Sequence, residues 1–135
     1  MDDMQAGSIL ASTKKLLGLE ERYEPFDIDI MVWINSALMT LTQMGVGPKE
    51  GFSIKGYEET WDDFLTNDTR LESAKTYVYL QTRMMFDPPT NSFVMDAMKK
   101  QSDELLWRLN VQAESVETFD FMTYSDEAYK RGAAP

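Results

Sequence analysis

The sequence predicts an all-α fold. It reads as a small bundle of about four main helices, with a glycine-rich loop between the second and third long segments and an extended C-terminal arm. Three observations lead there. Apolar residues recur at spacings of three, four and seven along several segments, which puts one face of each into a core. Gly45, Gly47, Pro48, Gly51 and Gly56 crowd into one stretch that regular helix cannot occupy. From Glu114 onward the helical spacing fades.

In chain order, Ser8 caps a short helix through Leu17, with Ile9, Thr13, Leu16 and Leu17 along one side. Gly18 is a natural left-handed terminator. Glu20 to Phe26 is a polar loop containing Pro25. Asp27 then caps a longer helix ending at Gly45. Ile30, Ile34, Leu38 and Leu41 face inward there, and Met31 and Ala37 widen the stripe. Trp33 lies off that line and serves a second contact. In Val46 to Gly56, Phe52 and Ile54 fall on one face of a short extended piece, and Tyr57 follows. This segment reads either as a loop tucking its apolar side chains under the helices or as an interaction loop. Thr60 to Leu65 reads as one helical turn anchored by Trp61, Phe64 and Leu65, with Asp62 and Asp63 outside.

Asp68 to Gln112 is the centre of the chain: two helical runs hinged at Phe86-Asp87-Pro88-Pro89-Thr90. Leu71, Ala74, Val78 and Met85 form the first stripe, overlapped by Tyr77, Leu80 and Met84. Val94, Met98, Leu105 and Leu109 form the second, joined by Ala97 and Leu106. Thr69 with Glu72 has the form of a capping box. The paired prolines stop the first helix, because Pro88 disfavours helical backbone at Asp87 and neither proline has an amide hydrogen. Thr90, Asn91 and Ser92 offer caps for the second. So short a connection implies an antiparallel hairpin.

Residues 1–114 therefore form a helical domain, and residues 115–135 a separate arm. The arm holds acidic and small residues around Val116, Phe119, Phe121, Met122, Tyr124 and Tyr129. Thr118-Phe119-Asp120-Phe121 alternates as a short strand would. Ordering backbone costs about 1–2 kcal/mol per residue, so a packed surface must offset it, and a partner is the expected source.

Composition excludes much chemistry. With no cysteine and no histidine among 135 residues, there is no thiolate zinc site, no disulfide and no histidine-assisted nucleophile. No cofactor and no metal is implied. The acid pairs Glu20-Glu21, Glu58-Glu59, Asp62-Asp63 and Asp103-Glu104 read as solvated surface, since adjacent carboxylates on a helix diverge. Lys14-Lys15 and Lys99-Lys100 read as ordinary helix surface. Trp61 and Trp107 read as core or interface anchors. A net charge of −10 argues against holding DNA by its phosphates. Met1 to Ala6 is polar and acidic, unlike a secretory leader, and no apolar run reaches membrane-spanning length, so a cytosol-like compartment is expected.

Several strings go beyond generic helix: Ile34-Asn35-Ser36-Ala37-Leu38, Leu41 through Pro48, Gly51-Phe52-Ser53-Ile54, Glu59 through Leu65, Phe86 through Phe93 and Glu104 through Asn110. In this order and spacing the chain, from Ile9 to Gln112, resembles the small head–tail connector (head completion, or adaptor) proteins of long-tailed bacteriophages. The resemblance implies a structural virion protein, not an enzyme. Such a protein is made in the host cytoplasm and forms a ring, usually of twelve copies, beneath the portal in the neck. The ring extends the channel for DNA packaging and ejection, passes double-stranded DNA without sequence-specific binding, and docks the next neck or tail component, a stopper or tail terminator. By the same likeness the C-terminal segment engages the portal, through Val116, Phe119, Phe121, Met122, Tyr124 and Tyr129, with strand addition to the portal as the expected mode. The loop carrying Lys49, Phe52, Ile54 and Tyr57 faces the tail side. An acidic channel wall would repel phosphate, and the unassembled protein is expected to be a monomer. The rival expectation from charge is an acidic DNA mimic inhibiting a nucleic-acid enzyme, and a carboxylate-based hydrolase is weaker still.

Overall fold

The structure, a computed structural model, describes residues 7–66 and 68–130, with only the backbone for residues 113–130. Ser8 sits in extended backbone and its hydroxyl accepts the Ala11 N–H at 3.2 Å, which starts α1 (Ile9–Leu16). Gly18, at φ +83°, turns the chain out of it as expected. The buried side of α1 is Ile9, Leu10, Ala11, Thr13 and Lys14, whereas Leu16, expected inside, is exposed at the helix end.

Helix α2 (Asp27–Gln43) buries Ile30, Ile34, Ala37, Leu38 and Leu41, as the spacing requires. Its start differs from expectation. Phe26 occupies the cap position without a side-chain bond, because the Asp27 carboxylate is engaged by Lys14 and Tyr57 instead. The single turn α3 (Trp61–Phe64) has a reciprocal capping box. The Thr60 hydroxyl accepts the Asp63 N–H at 3.1 Å, and the Asp63 carboxylate accepts the Thr60 N–H at 3.0 Å.

Helix α4 (Leu71–Phe86) buries Ala74, Tyr77, Val78, Leu80 and Thr82. The Thr69–Glu72 capping box does not form. Asp68 accepts the Arg70 N–H at 2.8 Å and pairs with the Arg70 guanidinium at 2.6 Å, and Arg70 takes the cap position without a side-chain bond. Met85, expected in the stripe, is exposed in the last turn. After the Pro88-Pro89 hinge, Asn91 accepts the Phe93 and Val94 amides and starts α5 (Ser92–Lys130).

Helix α5 corrects the expected extended arm. It runs 39 residues without a break at Glu114, and Thr118 to Phe121 is helical, not strand-like. The reason is local. Ser92 to Lys130 contains neither glycine nor proline, and Ala113, Glu114, Glu117, Glu127 and Ala128 are strong helix formers. A four-residue alternation is too short to override that.

Helix α4 is the central element, packed against both α2 and α5, with α1 lying against α2 and α4. The Phe26 and Phe86 rings meet edge-on at 5.2 Å, so α2 and α4 are antiparallel. The α4–α5 pair is the antiparallel hairpin, pinned by a Gln81 to Ser102 hydrogen bond at 2.6 Å. One apolar core joins Ile9, Leu10, Ile34, Leu38, Leu41, Val46, Trp61, Val78 and Leu109. Among the described residues there is no strand. A single antiparallel bridge ties Ser8 to Thr60, with Ile9 N–H bonded to Glu59 O and Trp61 N–H to Gly7 O.

Register gives α5 its most distinctive feature. Ten residues back from Gln81 is Leu71, where α4 begins, and ten residues on from Ser102 is Gln112. The remaining turns of α5, to Lys130, extend beyond the start of α4 by roughly 27 Å at the helical rise per residue.

Candidate functional site

The glycine-rich segment is irregular because its backbone demands it. Gly45, Gly47 and Gly51 lie at φ +86°, +101° and +92°, where other residues are strained. At Gly47 a Cβ would also come within 2.5 Å of the Phe64 ring. Irregularity does not leave this loop loose. The Asn35 side chain binds both backbone groups of Ile54, accepting its N–H at 2.7 Å and donating to its carbonyl at 3.0 Å. Ile54 is only 3% exposed, and Phe52 is half-buried with its ring edge-on to Phe64 at 5.5 Å. Trp61 Nε1 donates to Ser12 Oγ at 2.8 Å, which fixes the loop's exit to α1.

A second fastening lies at Lys14. Expected on the surface beside Lys15, it is fully buried, while Lys15, Lys99 and Lys100 are exposed. Its Nζ donates to the Glu21 and Tyr23 carbonyls at 2.9 and 2.6 Å and to the Tyr57 hydroxyl at 2.6 Å, and stands 2.7 Å from Asp27 Oδ1. Tyr57 donates in turn to Asp27 Oδ2 at 2.6 Å. One cation and one anion thus close a neutral network joining α1, the α1–α2 connection, α2 and the loop. Burial works against the Lys14 ammonium, but hydrogen bonds to Asp27 and Tyr57 outweigh it and raise its pKa above the ordinary lysine value. Burial, with the bond to Asp27, also pushes the Tyr57 hydroxyl up. The network is tuned to remain fixed near neutrality. The sequence did hold one signal, since Lys14 lies four residues after Leu10 and three before Leu17, on the inward side.

Of the tail-side set, then, Phe52, Ile54 and Tyr57 are held inward, and Lys49 is exposed with Glu50, Ser53, Lys55 and Glu58. The structure brings Phe52 and Ile54 into the core region and Tyr57 into the Lys14 network, the loop-tucking alternative of the sequence reading. The portal-side set, Val116, Phe119, Phe121, Met122, Tyr124 and Tyr129, falls within α5, and those side chains lie outside the described residues.

Trp61 is a core anchor, whereas Trp107 is 64% exposed. Other large apolar side chains at the surface are Ile28, Val32 and Met39 on α2 and Phe93 and Val94 at the start of α5. Among the described residues no group of acids is arranged to hold a metal ion, and no helix is long and apolar enough to cross a membrane.

A family model described as phage connector protein matches residues 9–116. No curated protein and no solved structure gives a significant match.

Proposed function

The chain belongs to the phage connector protein family, a family of structural components of the phage head–tail assembly and not of enzymes, and from that premise we propose that it is the head–tail adaptor. In this reading twelve copies form a ring beneath the portal in the virion neck. The ring extends the DNA channel, passes double-stranded DNA without reading its sequence, and presents a docking surface to a stopper or tail terminator.

The observation that carries the reading is the overrun of α5. Residues 1–114 hold the bundle, and residues 115–135 act as the arm that engages the portal. A helical arm docks as a helix, which replaces strand addition as the mode of contact. Val116, Phe119, Phe121, Met122, Tyr124 and Tyr129 supply its apolar anchors. At the loop, the inward placement of Phe52, Ile54 and Tyr57 leaves Lys49 and Glu50 to meet the next component. The net charge of −10 supports a channel lining that repels DNA.

The test is mass by light scattering, on the purified protein and then with its portal ring added. A monomer that becomes a stoichiometric ring on the portal supports the adaptor role. A protein that ignores the portal contradicts it.

A further inference from the structure

Helix α2 is apolar on two opposite sides. Ile30, Ile34 and Leu41 face the core, while Ile28, Val32 and Met39 share the opposite face at helical spacing and are 75%, 54% and 59% exposed. Helix α5 carries two outward aromatic side chains, Phe93 at 85% exposure and Trp107 at 64%, with Lys100 and the Arg108-paired Glu104 between them. Both helices pack on α4, and each turns these side chains away from the core. Two unlike patches on one chain suit a head-to-tail contact, the kind that closes into a ring when repeated.

The heights of the two patches agree. The Gln81–Ser102 bond and the Phe26–Phe86 ring contact set α2 and α5 against the common ruler of α4. On that ruler Trp107 stands within a turn of Ser36, between Val32 and Met39, and Phe93 stands near the start of α2. Lys100, exposed on the outward face of α5, stands within a turn of Asp29. Charge agrees as well, for α2 carries no lysine or arginine and its two charges are Asp27 and Asp29. In a ring whose axis runs along the helices, neighbouring copies sit at equal height, so these groups meet.

We propose that the Ile28–Val32–Met39 face of α2 in one copy receives Trp107 and Phe93 of α5 in the next, with Asp29 beside Lys100. The ring geometry rests on the adaptor reading, but the interface can be tested apart from it. The chain has no cysteine, so introduced pairs report cleanly. Two double variants, Ser36→Cys with Trp107→Cys and Met39→Cys with Trp107→Cys, cover one helical turn of register. All three positions are solvent-facing, and thermal melts check that the fold is kept.

Each variant is oxidised both as concentrated protein alone and bound to portal-bearing capsids, then run on non-reducing gels. The expected result is a ladder of dimers, trimers and higher multimers from at least one double variant. Single variants should stay monomeric, and a mixture of two complementary singles should stop at dimers. Capsids that bind both double variants at wild-type levels but yield only monomers overturn the interface, and mean that the portal or the next component covers these faces. If wild-type protein fails to bind capsids, the adaptor reading fails. The concentrated protein then decides the interface alone, supporting it by a ladder and overturning it by the lack of one.

Discussion

The loop of residues 46–60 and the second half of α5 are opposites. The loop has almost no regular structure, yet Asn35, Lys14 and the Ser8–Thr60 bridge fasten it to α1 and α2. Residues 113–130 are perfectly regular, yet they continue past the start of α4, the helix that supports the rest of α5. Anchoring therefore does not require backbone regularity. A loop can be part of the core because side chains satisfy its backbone groups, as Asn35 does for Ile54. A helix satisfies its own backbone and can leave the bundle without orphaning any of it.

The largest effect is expected at Lys14. Lys14→Met removes the cation from a buried network and leaves Asp27, Tyr57 and two carbonyls short of a partner. It should destabilise the fold by about 3–5 kcal/mol in chemical denaturation, and a loss under about 1 kcal/mol would mean the loop is held by its apolar contacts alone. Ile54→Ala comes next, at about 2–4 kcal/mol for a side chain this deeply buried. Lys49→Ala, at the exposed tip of the same loop, should change stability by no more than about 0.5 kcal/mol. Equal effects at the two positions would refute the tucked arrangement.

A smaller effect comes from pH. The Arg70 guanidinium bonded to Asp68 holds that carboxyl below its ordinary value despite partial burial. Its contribution is fully present above the unfolded aspartate value, near about 4, and is lost as pH falls through the lower, folded value. Lys14 behaves in the opposite sense, since its raised pKa keeps its contribution until pH climbs past the ordinary lysine value. Asp68→Asn should thus flatten only the acid limb of stability against pH, by less than Lys14→Met costs at neutrality. An unchanged acid limb would show that the Asp68–Arg70 pair contributes nothing measurable.

The hairpin was legible because its information is periodic and local. Ala74, Tyr77, Val78 and Leu80 repeat at helical spacing, the prolines stop the run, and Asn91 restarts it. The inward face of α2 was legible for the same reason. Lys14 was not, because its partners lie 7 to 43 residues away and hydropathy scores a lysine without seeing them. The start of α4 was not legible, because the Asp68–Arg70 pairing makes Arg70 the cap residue in place of Thr69, with no side-chain cap bond. The helical course of α5 was masked by the brief alternation at Thr118 to Phe121, although Ser92 to Lys130 holds no helix breaker. The outward stripe of Ile28, Val32 and Met39 was present in the sequence, but only the placement of α4 and α5 reveals that nothing described in this chain covers it.

The contrast between an anchored loop and an overrunning helix is tested most directly by ending the chain after Glu114. Thermal melting and co-sedimentation with portal-bearing capsids are measured on that protein and on the full-length chain. The bundle should melt as before, within about 1 kcal/mol of stability, while capsid binding is lost. Wild-type capsid binding by the shortened chain would contradict the assignment of residues 115–135 to the portal. A bundle that unfolds would show instead that this segment holds its own domain together.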